Sequence, residues 1–384
     1  MGGGVRRFLV DQYLTGSAEL TYRLLGGRSG QRDFGRIVIV AALSRNNGIA
    51  NGARLQWNAL RRLGVEAELV DAAPALRKPW LRIPHRPGSA YVFHSAGPQT
   101  ACLIRSMLPH VAFSYRVAYW AWELPDPPRD WLGCDRNVSE VWTPSAYAQS
   151  SLTRIVRKPV EVVPHSISAA PARRRSANAP FTVLAMADSR SSFSRKNPAG
   201  ALEAFRRAFG TSSSARLLLK LTGSPDELRD LQASFGDFFG LNVEIIKSFL
   251  SPTALAALYR ETDVLLSLHR AEGFGLPMLE AMAHGIPVVA TGWSGNLEFM
   301  DPSNSRLVPY RLIPVEDTSA VYGSSVWAAP DLDAAARALR DLASDSGEYD
   351  RLAAAAHRRV STTSPRFPFP LPEGASQERL EVSA

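Results

Sequence analysis

Two glutamates eight positions apart, Glu272 and Glu280, bracket the stretch EGFGLPMLE, and the residues between them say what such a pair can do. Gly273 and Gly275 permit a tight turn around Phe274 with close backbone approach. Leu276 and Pro277 then open a helix, where proline suits the first turn because no N–H is needed there. Apolar strand-like runs lie on either side, at 263–268 and 286–290, so the unit reads strand, glycine turn, helix, strand. A helix start offers unpaired N–H groups and the positive end of a dipole, a seat for a phosphate or another anion. Glu272 stands on the turn and Glu280 about one turn inside the helix, so both can face one ligand from different heights. Taken alone, the same geometry also describes an ordinary α/β turn with a solvated helical glutamate.

Other residues could converge on the same anion. The loop DSRSSFSRKNP sets Arg195 and Lys196 between a strand, FTVLAMAD, and an amphipathic helix. Composition alone makes it a solvated basic loop. Lysine is rare in this chain, which makes Lys220, at the end of the strand ARLLLK, a second cation to consider. Ser294, Gly295 and Asn296 form a turn-prone triplet whose amides could cradle a phosphate or a sugar hydroxyl. Asp331 and Asp333 directly precede an apolar-periodic run and read as helix capping rather than a metal pair. In the first half, RIVIVAAL is followed by a loop and helix holding Gly48, Asn51 and Gly52, without a G-x-G-x-x-G fingerprint. His94 ends the strand SAYVFHS, and VAYWAWELPDPP carries Trp122 and Glu123 toward the same sheet edge, where open α/β sheets bind ligands. A lone histidine is usually structural, and an aromatic cluster is more often core than a sugar platform.

The string LHRAEGFGLPMLEAMAHGIPVVATGWSGN, residues 268–296, closely resembles the nucleotide-sugar half of retaining glycosyltransferases of family 4, whose E-x7-E pair matches Glu272 and Glu280. The resemblance implies a GT-B fold: α/β, with two Rossmann-like α/β/α domains facing each other across a cleft. It implies a nucleotide-diphosphate sugar as co-substrate, with no cofactor and no metal, and transfer with retention. RKNP followed by an AF-x-x-AF helix resembles the family's diphosphate-binding loop, which gives Arg195 and Lys196 catalytic roles in neutralising the leaving group. Gly273 to Leu276, Lys220 and the Ser294 to Asn296 triplet then hold the donor. Glu280 accepts hydrogen bonds from the ribose hydroxyls and Glu272 contacts the donor sugar. In relatives the backbone after the strand VEIIK pairs with the base, which places Ile246 and Lys247 beside it. Gly48, Asn51 and Gly52 correspond to an acceptor-domain loop, with His94, Trp122 and Glu123 on the same acceptor side. YWAWEL with SEVWTPS resembles a subset of these transferases found in polysaccharide synthesis. Better-known members place a histidine at this strand end, where this chain has Trp122 and Glu123, and that role is not transferred to His94.

At 384 residues the chain suffices for two domains, and 45% hydrophobic with 21% charged residues is the balance of a globular protein. Residues 1–35 read as an N-terminal extension of short amphipathic pieces, 36–168 as the acceptor-side domain, 169–180 as a linker and 181–345 as the nucleotide-sugar domain. A last helix at 346–363 is expected to cross back to the first domain, and 364–384 to form a disordered tail. Cys102 and Cys134 are too few for a disulfide framework. No apolar run approaches a membrane span and the start is a poor signal peptide, so a cytoplasmic setting is the expectation. The net charge of +8 favours anionic partners: the donor, a glycan or lipid-linked acceptor, or an anionic membrane surface on whose inner face the protein sits peripherally. A nucleic-acid-binding protein is favoured by charge alone and lacks a readout helix or aromatic motif. A sugar-nucleotide-binding protein without transferase activity is the closer rival.

Overall fold

The computed structural model describes residues 13–369 apart from 14–15, 29, 33, 46, 79–80, 174, 176–178, 236–237 and 318–321. The apolar patch within residues 1–12 and the tail at 370–384 lie outside the described residues. The chain divides into two units, 1–166 with 364–384, and 167–363.

The first unit opens with helix α1 (16–25) and then alternates strand and helix: β1 (Arg36–Ala41), α2 (Gly48–Arg62), β2 (Ala67–Asp71), α3 (Ala73–Arg77), β3 (Ser89–His94), α4 (Gly97–Arg105), β4 (Arg116–Tyr119), β5 (Glu140–Thr143), α5 (Ala146–Leu152) and β6 (Val160–Val162). The strands pair in parallel in the order β2-β1-β3-β4-β5-β6. Continuous apolar runs such as RIVIVA suit strands covered on both faces, and in β1 every residue from Ile37 to Ala41 is buried. Helix α1 is packed rather than free: Thr21 Oγ1 donates to the Ala101 carbonyl at 3.1 Å, and Arg105 reaches Ser17 Oγ at 2.8 Å. Arg116 is buried without a carboxylate and spends its guanidinium on the carbonyls of Arg28, Val111, Ala112, Ser114 and Asn137, with burial lowering it to about 10.

The second unit runs β7 (Phe181–Asp188), α6 (Phe193–Lys196), α7 (Pro198–Phe209), β8 (Ala215–Thr222), α8 (Pro225–Ala233), β9 (Val243–Ile246), α9 (Pro252–Glu261), β10 (Val264–Ser267), α10 (Leu276–Ala283), β11 (Val288–Thr291), β12 (Arg306–Val308), the antiparallel pair β13 (Tyr310–Pro314) and β14 (Val326–Pro330), α11 (Leu332–Ser344) and α12 (Ser346–Ser361). Its main sheet has the order β12-β11-β10-β7-β8-β9, again parallel. Strand alternation splits the core into two layers. Val183, Leu217 and Leu219 join Phe205 of α7 and Leu339 of α11, while Leu184 and Leu218 join Met278 and Met282 of α10. Burying Phe205 alone is worth about 2–3 kcal/mol. Asp331 caps α11, accepting from the amides of Asp333 and Ala334 at 2.9 Å each, and Asp333 pairs with Arg207.

Three boundary expectations change. The Ala, Pro, Arg-rich segment after Ser166 is no free linker. Ala170 and Arg173 donate to the carbonyls of Ala283 and His284, and Arg173 forms a largely buried ion pair with Asp263 at 2.5 Å. Composition conceals this because arginine is soluble unless a buried carboxylate claims it. Helix α12 stays with the second unit, where Leu352 and Ala356 are buried in its core. The segment after it returns instead: Phe367 and Phe369 pack on Trp142, and Phe369 also meets Phe34, so the region expected to be tail begins with core aromatics.

Asp263 also accepts the Thr182 amide at 2.7 Å. Asp263→Ala should therefore strand Arg173 and that amide and cost about 3–5 kcal/mol, read as a lowered urea midpoint of the second unit.

Candidate functional site

Strand order in the second unit reverses between β7 and β10, which pair directly although β8 and β9 intervene in sequence. Loops leaving two such strands diverge and leave a crevice at their carboxyl ends. The first loop is shaped by two residues with positive φ. Ser192, at φ 65°, caps α6 by accepting the Arg195 amide at 3.3 Å. Asn197, at φ 53°, is in the left-handed region that asparagine tolerates. Its side chain caps α7 through the Gly200 amide at 3.2 Å and donates to the Leu268 carbonyl at 2.9 Å, just past β10. Asn197 thus fixes the loop after β7 to the loop after β10.

This brings Lys196 and Glu272 together: Lys196 Nζ donates to Glu272 Oε1, and Arg195 Nη1 lies 3.2 Å from Oε2. Burial pushes the Glu272 carboxyl up, but Lys196, Arg195 and His269 outweigh it and hold it at about 2. Arg195 differs from its expected role. Only 3% exposed, it donates to the Ala271 carbonyl at 2.6 Å and the Ser191 carbonyl at 3.1 Å, so it buttresses the turn. Lys196 is the more accessible of the two cations.

Gly275, at φ 103°, caps α10, and its carbonyl takes the amides of Met278 and Leu279 at 3.0 and 3.2 Å. Among the described residues the amides of Gly275 and Leu276 have no partner, so the anion seat at this helix start is narrower than a full turn. The triplet after β11 braces the same turn. Gly295 N–H donates to the Glu272 carbonyl at 2.9 Å, and Ser294 Oγ accepts the Glu272 amide at 2.9 Å. Fully buried Asn296 bonds the Thr291 carbonyl at 3.1 Å and faces His269 Nε2 at 3.2 Å. The triplet therefore clamps the Glu272 turn from behind through the Gly295 amide and the side chain of Ser294, with Asn296 tied to the Thr291 carbonyl. Its glycine is required by packing: a Cβ at Gly295 would sit 2.2 Å from the Gly273 carbonyl oxygen. His269 was not singled out in the sequence; a histidine three residues before a glutamate-glycine turn is the available signal.

Glu280 Oε2 accepts the Tyr259 hydroxyl at 2.8 Å. Burial raises its carboxyl, and the Tyr259 hydrogen bond partly opposes this. Lys220 donates to Thr222 Oγ1 at 2.5 Å; burial lowers its pKa against the charge of Asp188, which Arg190 holds at 2.6 Å. Ile246 is the register partner of Lys220 and ends β9, with Lys247 exposed beyond it.

Residues 145–365, more than half of the chain, match the family described as Family 4 Glycosyltransferase in conflict systems. The chain belongs to this glycosyltransferase family. No curated protein matches it. The chain is similar in structure to Anabaena HepE in complex with UDP-glucose, with TM-score 0.59 at 14% identity, covering 90% of this chain and 98% of that one. It is also similar to a glycosyltransferase from Rickettsia africae, with TM-score 0.58 at 14% identity, covering 87% and 95%. S. aureus TarM, solved with fondaparinux, alpha-GlcNAc-glycerol and UDP, gives TM-score 0.54 at 12% identity over 72% of this chain and 52% of its own. The chain thus spans about half the length of TarM. Its fold is of the GT-B class.

In the first unit, the residues expected on the acceptor side do not form one exposed cluster. His94 is buried, with Nε2 2.7 Å from Gln56 Oε1 and its ring stacked on Tyr119 at 4.3 Å. Trp122 is buried against Trp131, with its indole N–H on the Asp126 carbonyl at 2.8 Å, so it is core rather than a platform. Glu123 is half-buried, and its carbonyl accepts from Tyr147. Gly52 makes room for the His165 ring, 2.5 Å from where a Cβ would stand, while Gly48 opens α2 and Asn51 accepts from Arg54 at 3.2 Å.

Gly295→Ala should force the Glu272 turn apart, costing roughly 1–3 kcal/mol and abolishing donor binding, measured by thermal unfolding with and without nucleotide. Because the Glu272 carboxyl is depressed in the fold, its stabilisation is complete above the ordinary 4.5 and is lost as pH falls through about 2. Acid unfolding of Glu272→Gln should lack that contribution, measured against wild type over the same pH range.

Proposed function

We propose that the protein transfers a sugar from a nucleotide-diphosphate sugar to a glycan or lipid-linked acceptor, with retention and without a metal. The observation that carries this reading is the pairing of Lys196 with a buried, ionised Glu272 where strand order reverses. Cleavage of the donor leaves positive charge on the anomeric carbon and negative charge on the diphosphate. Lys196 and the start of α10 supply positive charge for the leaving group, and Lys220 is a further cation on the same reading. Glu272 stays anionic at neutral pH and faces the donor sugar, where it positions hydroxyls and stabilises developing positive charge. Glu280 receives the ribose hydroxyls.

The YWAWEL edge supports an acceptor in cell-surface polysaccharide synthesis; the family description supports a setting in conflict systems. Among the described residues no helix is long and apolar enough to cross a membrane. A peripheral seat on the inner face of an anionic membrane is supported by the exposed Tyr13, Leu20 and Leu24 and by Arg105 over the Tyr13 ring at 5.4 Å.

A panel of nucleotide sugars screened by thermal shift should yield one stabilising donor, followed by transfer or hydrolysis of that donor with EDTA present. Lys196→Ala should lower kcat about 10²-fold or more, and Glu280→Gln should chiefly raise the donor KM. Wild-type kinetics in both variants would refute the site, and binding without transfer or hydrolysis would favour the sugar-nucleotide-binding alternative.

A further inference from the structure

Glu280 is held in an unusual way for a surface-proximal helical carboxylate. Tyr259 of α9 is buried, and its hydroxyl donates to Oε2 of Glu280 at 2.8 Å; the alternative acceptor, the Pro277 carbonyl, lies at 3.4 Å. The tyrosine ring is itself fixed, stacked on His284 at 5.2 Å with its plane 21° away, inside the core layer that holds Met278 and Met282. Oε1 of Glu280 has no hydrogen-bond partner among the described residues, and Glu280 remains partly exposed. One oxygen is therefore locked from the core side while the other is open to accept.

We propose that Tyr259 is a positioning residue: by holding Oε2 it presents Oε1 to the ribose hydroxyls of the donor and so sets the preference for a ribonucleotide. This rests on the ribose role of Glu280 in the proposed function. The physical basis is twofold. A carboxylate with one oxygen fixed loses no rotamer freedom when a ligand hydroxyl arrives. A buried phenol facing it also favours the ionised form, which accepts from both ribose hydroxyls, over the neutral form, which must keep a proton on one oxygen. Tyr259 touches neither substrate nor reacting atoms in this arrangement.

The test compares affinities for ADP, GDP and UDP with those for their 2′,3′-dideoxy counterparts, by calorimetry on the full chain. For the base that binds, wild type should prefer the ribose form by roughly ten- to hundredfold, the range expected of hydrogen bonds to a charged acceptor. Tyr259→Phe keeps the ring and its stacking. It should cut that preference at least roughly fivefold while leaving the dideoxy affinity unchanged, which also reports that the site is folded. Glu280→Gln should largely remove the preference, and adding Tyr259→Phe to it should change nothing more.

A wild-type preference in Tyr259→Phe, or an equal loss of both affinities, overturns the inference while Glu280→Gln still upholds the ribose site. Absence of any ribose preference in wild type, with Glu280→Gln silent, overturns both. In turnover with the identified donor, Tyr259→Phe should raise KM with kcat nearly unchanged, and a fall in kcat at constant KM would count against positioning.

Discussion

A buried carboxylate is tolerable only if its charge is met, and in this protein meeting the charge of Glu272 organises the whole second unit. Lys196 and Arg195 come from the loop after β7, and Glu272 from the loop after β10. Two strands adjacent in the sheet and distant in sequence must therefore be in register before the ions can pair. Asn197 ties one loop to the other, and Ser294 and Gly295 brace the turn from a third. Glu272 is already met by two cations within the protein, so Lys196 must share itself between Glu272 and any incoming anion. Arg195 is less free to share in this way, because its guanidinium is also tied to the backbone carbonyls of Ser191 and Ala271.

Much of this architecture could be read from the sequence, for identifiable reasons. Continuous apolar strands such as RIVIVA and the glycine turn at Gly273 to Gly275 carry local signals that depend on few neighbours. The E-x7-E spacing and the RKNP loop carried the family. The division of labour within the motif was less visible. Arg195 and Lys196 are adjacent cations in the sequence, and only burial separates the buttress from the more accessible lysine. The Ser294 to Asn296 triplet looks like a phosphate cradle until its partners are known, because a turn that binds an anion and a turn that binds another turn use the same small residues.

The misread boundaries share one cause. Residues 169–180 have linker composition, yet Arg173 is held by Asp263, a partner ninety positions away that no local window contains. Ser364 to Phe369 is embedded in proline and serine, and its two phenylalanines matter only because Trp142 and Phe34 wait for them. Tyr259 escaped notice for a related reason. It is 21 residues before Glu280, and a lone tyrosine in an apolar helix face announces packing, not the hydroxyl that the packing delivers.

That returning segment also bears on how the protein is made. The first unit's six-stranded sheet is encoded before residue 163 and leaves the ribosome ahead of the second unit, but the aromatic cluster around Trp142 lacks Phe367 and Phe369 until the second unit has been synthesised. Domains generally fold in order of emergence. Here the first unit must wait with part of its aromatic cluster uncovered while the entire second unit is translated, so residues that follow one core complete the core encoded before it.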